Sequence, residues 1–218
     1  MDTIGHSLSD LQSLQSDSAY YQDVMAVDSF RLKAVKQAGE ELGMQTALAN
    51  ESIVIDNILA KHAYQLDQVF NFRLLMDVNG VLPPVIISAN HQLQISDDGN
   101  NIRVGGKVYR IIQQVRFVTT PPTWRDYLWM NYPYPEPPSP AVLPQNSAEQ
   151  RIWSNAVIVG WKEGIQQALD IYHINLDHLS QDYNGMILYK ELLAQNMVSP
   201  FNVIKQNNGI TASMRIKN

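Results

Sequence analysis

VRFVTTPPTWRDYLWMNY, residues Val115–Tyr132, is the stretch that decides how this chain is read. It runs from a β-rich strand end through a double proline into a short aromatic helix and then a loop. Pro121 and Pro122 stop the strand, because proline fixes φ and brings no N–H to a ladder. Thr123 is placed to cap a short helix holding Trp124, Tyr127 and Leu128. The segment therefore joins strands to helices. Its large aromatics need a surface to bury against, inside the molecule or on a partner. None of its residues has the setting of a catalytic group.

Upstream, two β-rich runs flank Gly105-Gly106. Ile102 and Val104 precede the pair, and Val108, Tyr109, Ile111 and Ile112 follow it. This spacing predicts a two-residue hairpin turn with positive φ at both glycines and sets Ile102 opposite Tyr109. Leu93 and Ile95, before the turn-rich run Asp97–Asn101, complete a β-meander whose last strand reaches toward Val118. Earlier still the period is helical. Leu32, Val35, Leu42 and Leu48 form a broken apolar face from about Asp28. The helix continues, or bends near Asn50, into a second one carrying Ile53, Ile58, Leu59, Tyr64, Leu66, Val69 and Phe70, with Asn50 or Ser52 as its cap. Asn79-Gly80 is the stop signal, and Pro83-Pro84 forces extended backbone.

Downstream, Tyr132–Pro144 holds six prolines and reads as an extended loop across the surface. Asn146, Ser147, Glu149 and Gln150 supply capping chemistry for the longest helix. Its stripe is Trp161, Ile165, Leu169, Tyr172, Leu176, Leu179, Tyr183 and Met186. Gly185 is a candidate interruption, after which Leu188, Leu192 and Leu193 carry the pattern toward Pro200. Ile210 to Asn218 alternates weakly like a strand and stops without a terminating signal. Residues 1–18, rich in Ser, Asp and Gln, read as a flexible tether; Leu8, Leu11 and Leu14 allow one weak amphipathic turn within it. The expected fold is α+β: a predominantly helical single domain over residues 19–218, with a small antiparallel sheet in the middle of the chain.

The totals narrow the function classes. With 218 residues, 45% hydrophobic and 17% charged, the composition is globular. A net charge of -5 and no Lys/Arg cluster argue against a nucleic-acid groove. The absence of cysteine removes disulfides, thiol catalysis and zinc thiolates. No apolar run approaches the roughly 20 residues of a membrane span. Met1 leads into polar Asp2 and Thr3, which reads as a natural start or as a mature domain with a new Met.

Chemistry-bearing residues are scattered. His173 and His178 are five apart, which points them to different helix faces, whereas helical metal pairs stand four apart. His6, His62 and His91 have no partner at such spacing. Glu40-Glu41 and Asp97-Asp98 are adjacent rather than convergent across a cleft. No metal, cofactor or catalytic residue is assigned. The helices carry a sharper signal: Gly39, Gly43 and Ala47 stand four apart, as do Gly160, Gly164 and Ala168. Glycine in a helix costs about 1 kcal/mol against alanine, so two such ladders point to close packing of two helix backbones, one ridge against the other or against a neighbour's helix. Trp129, Tyr132, Tyr134 and Pro137, running into the proline loop, are candidate partner contacts. The sheet edge at Ile102 and Tyr109 is a second candidate.

FVTTPPTWRDYLWMNY, with NGMILYKELLAQNMVSP near the end and LDQVFNF and LMDVNGVLPPVI earlier, resembles the DotC family, whose plasmid-conjugation relatives are called TraI. The resemblance runs from Ser29 to Ser199 in order. It implies a lipoprotein of type IVB (Dot/Icm-like) secretion systems, at the periplasmic face of the outer membrane. It also implies a structural role in a ring-shaped core complex beside DotD-like and DotH-like subunits, helping to place the latter, with no catalysis or cofactor. The lipidated cysteine of the pattern is missing here, so the anchor is expected upstream, and the C-terminal strand region is expected to extend past Asn218. The rival reading is a free-standing periplasmic binding protein or chaperone holding a partner helix; a hydrolase is weaker still.

Overall fold

A run of 33 residues with no proline, Ser29–Lys61, forms one unbroken helix, α2, in the computed structural model, which describes residues 6–15, 29–77, 80–89, 101–104 and 107–200. Of the two possibilities at Asn50, the helix continues. Asn50 and Ser52 do not cap. The Ser52 hydroxyl donates to Ala49 O at 2.8 Å and Thr46 to Leu42 O at 2.7 Å, both back-bonds that a helix accommodates. Asn50 instead donates from Nδ2 to His6 O at 2.8 Å. A short helix, α3 (Ala63–Val69), follows the turn at His62. The helical run ends there, ten residues short of the expected stop, because Phe72 turns inward. Its ring lies 5.8 Å from Tyr127, parallel, and 5.1 Å from Tyr183, edge-on.

The described chain divides into two compact units, Met1–Leu74 with Thr120–Tyr183 and Leu75–Thr119 with Asn184–Asn218. The fold is α+β and mainly helical, with small antiparallel sheets.

The first unit rests on α2 and the long helix α5 (Ser147–Ala194), 48 residues and roughly 70 Å at 1.5 Å per residue. Asn146 starts α5 by accepting at Oδ1 from the N–H groups of Ala148 (3.1 Å) and Glu149 (2.9 Å). The two glycine ladders meet each other where α2 and α5 cross. A Cβ at Gly43 would lie 2.5 Å from Val157 O; one at Gly160 would strike Glu40 O, and one at Gly164 would strike Met44 O and stand 2.8 Å from Ala47 Cβ. Ala47 and Ala168 are fully buried. The stripe of large residues from Trp161 to Leu176 is only half-buried, whereas the small-residue face lies deepest. Backbones this close leave no room at the crossing for large side chains.

Where it is described, the expected tether forms the amphipathic turn that Leu8, Leu11 and Leu14 allow. Leu8–Gln12 forms a helical turn, α1, capped by Ser7, with Leu11 buried among Val35, Leu42, Trp153 and Val157. Local composition predicted a solvated segment, but apolar contact with two long helices overrides that preference.

In the second unit, β1 (Val81–Leu82) pairs antiparallel with β5 (Arg116–Phe117). A three-stranded sheet has the order β2 (Val85–Ala89), β4 (Lys107–Gln113), β3 (Asn101–Val104). Its register places Ile102 opposite Tyr109 and Val104 opposite Lys107, leaving two residues between the strands. Gly80 (φ +71°) makes the turn before β1 and accepts at O from Val118 N–H at 2.9 Å. Gly185 does not interrupt α5; a Cβ there would strike Val85, because β2 crosses the helix at that point. Ile86, Tyr109, Tyr189 and Leu192 form this unit's core. The helix closes with Asn196 at φ 56° and a Met197 N–H···Leu192 O bond of 2.8 Å. The strands expected at Leu93–Ile95 and Ile210–Asn218 and the Gly105-Gly106 turn lie outside the described residues, as does the expected Asp97–Asn101 turn up to Asn100, Asn101 being the first residue of β3.

Candidate functional site

The aromatic segment and the proline loop after it are built from their anchors outward. Thr123 opens α4 (Trp124–Leu128); its N–H and its hydroxyl both donate to Asp126 Oδ2, at 2.6 and 3.0 Å. This sets Trp124 and Leu128 inward, both fully buried. Trp124 donates from Nε1 to Asp67 Oδ1 at 2.7 Å, and Arg125 Nη1 reaches the same oxygen at 2.8 Å. The Arg125 guanidinium also lies 4.2 Å over the Trp124 ring. The Arg125 and Trp124 hydrogen bonds hold the Asp67 carboxyl below its ordinary range.

Three ties then fix the loop. Met130 is buried and donates its N–H to Asp56 Oδ1 at 3.1 Å; burial pushes the Asp56 carboxyl up, and this bond offsets part of the rise. Tyr134 donates from its hydroxyl to Asn50 Oδ1 at 2.7 Å while its ring stacks on His6, centroids 3.8 Å apart. At the far end Arg31 donates to Ala141 O (2.8 Å) and Leu143 O (3.1 Å) and pairs in a fork with Glu149, 2.8 and 3.0 Å. Glu149 also accepts from Gln145 N–H at 2.9 Å. Burial pushes the Glu149 carboxyl up, but the Arg31 and Gln145 bonds outweigh it, and the group sits below its ordinary range.

Between these ties the loop presents side chains to solvent. Trp129 is 48% exposed, Tyr132 36%, and Pro137 is exposed. The residues grouped as one contact surface therefore separate: Trp129, Tyr132 and Pro137 face outward, while Tyr134 is half-buried and serves as an anchor. The second candidate separates too. Ile102 lies on edge strand β3, whereas Tyr109 is on the central strand β4, buried against Ile86, Tyr189 and Leu192. A residue with a strand on either side cannot be an edge. Gly39, Gly43, Ala47, Gly160 and Gly164 come together at the α2–α5 crossing, and Ala168, one turn further along α5, is fully buried. The described histidines, His6, His62, His173 and His178, are all exposed.

Sequence reasoning missed Asp56, Asp67, Arg31 and Asp182. The last is buried and accepts from the Tyr127 hydroxyl at 2.8 Å. All four pair with residues more than 50 positions away, so no local pattern marks them. For Glu149 a signal existed, its place in a capping motif, but nothing pointed to Arg31.

The loop is thus tied at Asp56, Asn50 and Arg31, with Trp129, Tyr132 and Pro137 outward between the ties. A family model described as type IV secretory system, conjugal DNA-protein transfer, matches residues 29–216. The chain belongs to this family. The match takes in both long helices, both sheets and the display loop, and it leaves α1 outside. A search of curated proteins finds none that matches. Membership ties the chain to type IV secretion and conjugation and to components of that system. Among the described residues, no helix is long and apolar enough to cross a membrane.

Proposed function

We propose that this secretion-family protein is a structural scaffold subunit of an outer-membrane core complex of the type IVB kind, and that it helps to place a DotH-like subunit there. In this reading a lipid attached upstream of the present sequence holds it at the periplasmic face of the outer membrane. DotD-like and DotH-like subunits are its neighbours in a ring, and it works through surfaces, without catalysis, cofactor or nucleic acid. The observation that carries the reading is the display loop. Trp129, Tyr132 and Pro137 stand outward on a segment tied at Asp56, Asn50 and Arg31. Holding contact residues in place before binding reduces the ordering cost of association, and aromatic anchors are typical of interface hot spots.

The test is copurification. Trp129→Ala with Tyr132→Ser leaves the three ties intact but gives up the contact between the Trp124 and Trp129 rings, centroids 6.1 Å apart, worth about 0.5–1.5 kcal/mol, so Tm should fall by no more than about 6 °C. Recovery of the DotH-like subunit should fall by about tenfold or more, the loss expected on removing one or two anchors. Full recovery rejects the loop as the contact.

A further inference from the structure

Asn50 uses both ends of its amide. Nδ2 donates to His6 O at 2.8 Å, and Oδ1 accepts from the Tyr134 hydroxyl at 2.7 Å. The His6 and Tyr134 rings stack, with 3.8 Å between centroids and 10° between planes. The three residues close a ring of contacts. One lies just before α1, one on α2 and one in the display loop, all within the first unit. A carbonyl can only accept, so His6 O fixes which way the Asn50 amide faces and leaves Oδ1 for Tyr134. Of the ties that hold the loop, this is the one that depends on a segment outside the family-matched residues 29–216.

α1 sets where His6 lies. Leu11 is 1% exposed, in a cluster with Val35, Leu42, Trp153 and Val157. Trp153 Nε1 donates to Leu11 O at 2.8 Å and Gln150 Nε2 to Gln12 O at 2.6 Å. Ser7, which follows His6, is locked to Asp10: its N–H donates to Asp10 Oδ2 at 3.3 Å, and the Asp10 N–H donates back to Ser7 Oγ at 3.2 Å. The docked turn therefore carries His6 to Tyr134. Without it Tyr134 loses its stacked ring, and the Asn50 amide, held by a single bond, can turn. Tyr134 is the middle tie, between Met130 and Ala141, and the outward residues Tyr132 and Pro137 stand on either side of it. Backbone freed there must be ordered again when a partner binds, which weakens binding.

We propose that His6 and Asn50 are positioning residues through which the docked α1 turn braces the display loop in its binding form. The consequence for partner affinity rests on the scaffold reading; the hold on the loop does not. Coupling between two sites is reciprocal, so a partner bound at Trp129 and Tyr132 tightens the docking of α1 in return.

The chain contains no cysteine, so a nitroxide on Glu136→Cys, an exposed position in the loop, reports the loop alone in the full-length protein. Leu11→Ala loosens α1 from a cluster that contains no residue between 129 and 142. The label's rotational correlation time should then shorten by about twofold or more. His6→Ala, at an exposed position where folding is not at stake, should do the same. His6→Phe, which keeps a ring on Tyr134, should restore the parent spectrum. In a chain that already carries Tyr134→Ala, Leu11→Ala should add nothing, whereas a merely structural role for α1 would add its effect to that of Tyr134. Recovery of the DotH-like subunit by the unlabelled Leu11→Ala chain should fall by about fivefold. A label that ignores both Leu11→Ala and His6→Ala overturns the brace, and so do additive effects of Leu11→Ala and Tyr134→Ala. Recovery lost with Trp129→Ala and Tyr132→Ser but untouched by Leu11→Ala overturns its role in binding. Recovery untouched by all of these variants rejects the loop as the contact, while the brace is still decided by the label.

Discussion

Glu149 shows at the scale of one residue how this protein uses charge. Its carboxylate is buried at the start of α5 and compensated by the Arg31 fork and the Gln145 N–H. Removing one member of such a pair strands the other: Arg31→Met should cost about 3 kcal/mol, read by denaturant unfolding. The pH dependence has a definite sign. The folded-state pKa of Glu149 is lowered from 4.5, so its stabilisation is fully present above the unfolded value and is lost as pH falls through the folded value. Asp67, also lowered, acts in the same direction, and Asp56, raised by burial, opposes them. Melting temperature should therefore fall as pH drops from about 4.5 toward 3, and Glu149→Gln should flatten that limb in calorimetry. A limb of unchanged steepness would remove Glu149 from this role. Tyr134 gives a second residue-scale expectation. Tyr134→Phe keeps the ring on His6 but gives up the bond to Asn50; the loss is about 1 kcal/mol, with faster proteolytic cutting between residues 132 and 140.

Between elements, the decisive contact is the α2–α5 crossing. Glycines at 43, 160 and 164 let one helix backbone approach the other's carbonyls more closely than any Cβ permits. Gly160→Leu or Gly164→Leu must push the helices apart or break one of them. Either should cost at least about 3 kcal/mol, a fall in Tm of roughly 6–12 °C for a chain of this size. A variant that melts with the parent would show that the crossing does not govern stability. The same close approach explains why the large residues of α5 lie at the flanks of the contact and small ones at its centre.

Viewed as a whole molecule, the chain forms its two units from interleaved segments, and α5 contributes Ser147–Tyr183 to one and Asn184–Ala194 to the other. Each unit has its own buried cluster, around Trp153 in the first and around Tyr189 in the second. Ile86→Ala, which opens a cavity beside Tyr189, should cost about 2–5 kcal/mol. Amide hydrogen exchange should show the loss first in β2 and β4, with the N-terminal half of α2 less affected. Equal loss of protection everywhere would instead mean that the units open as one.

Periodicity and punctuation made much of this visible in advance. The Gly-Gly spacing set the Ile102–Tyr109 register, the double proline ended the strand before α4, Asn146 capped α5, and the paired glycine ladders marked a close helix crossing. Each is a local rule, in which a dihedral preference or a face repeat acts within a few residues of its cause. What tertiary structure decided is non-local. It buried Tyr109 on a central strand, turned Tyr134 from contact residue to anchor, joined Asp67 to Trp124 and Arg31 to Glu149, and drew Leu11 out of a polar segment into a leucine pocket. Those outcomes depend on which side chains distant in the chain arrive together. The free energy of such a meeting lies in desolvation and pairing between the partners, and neither partner carries a mark of it alone.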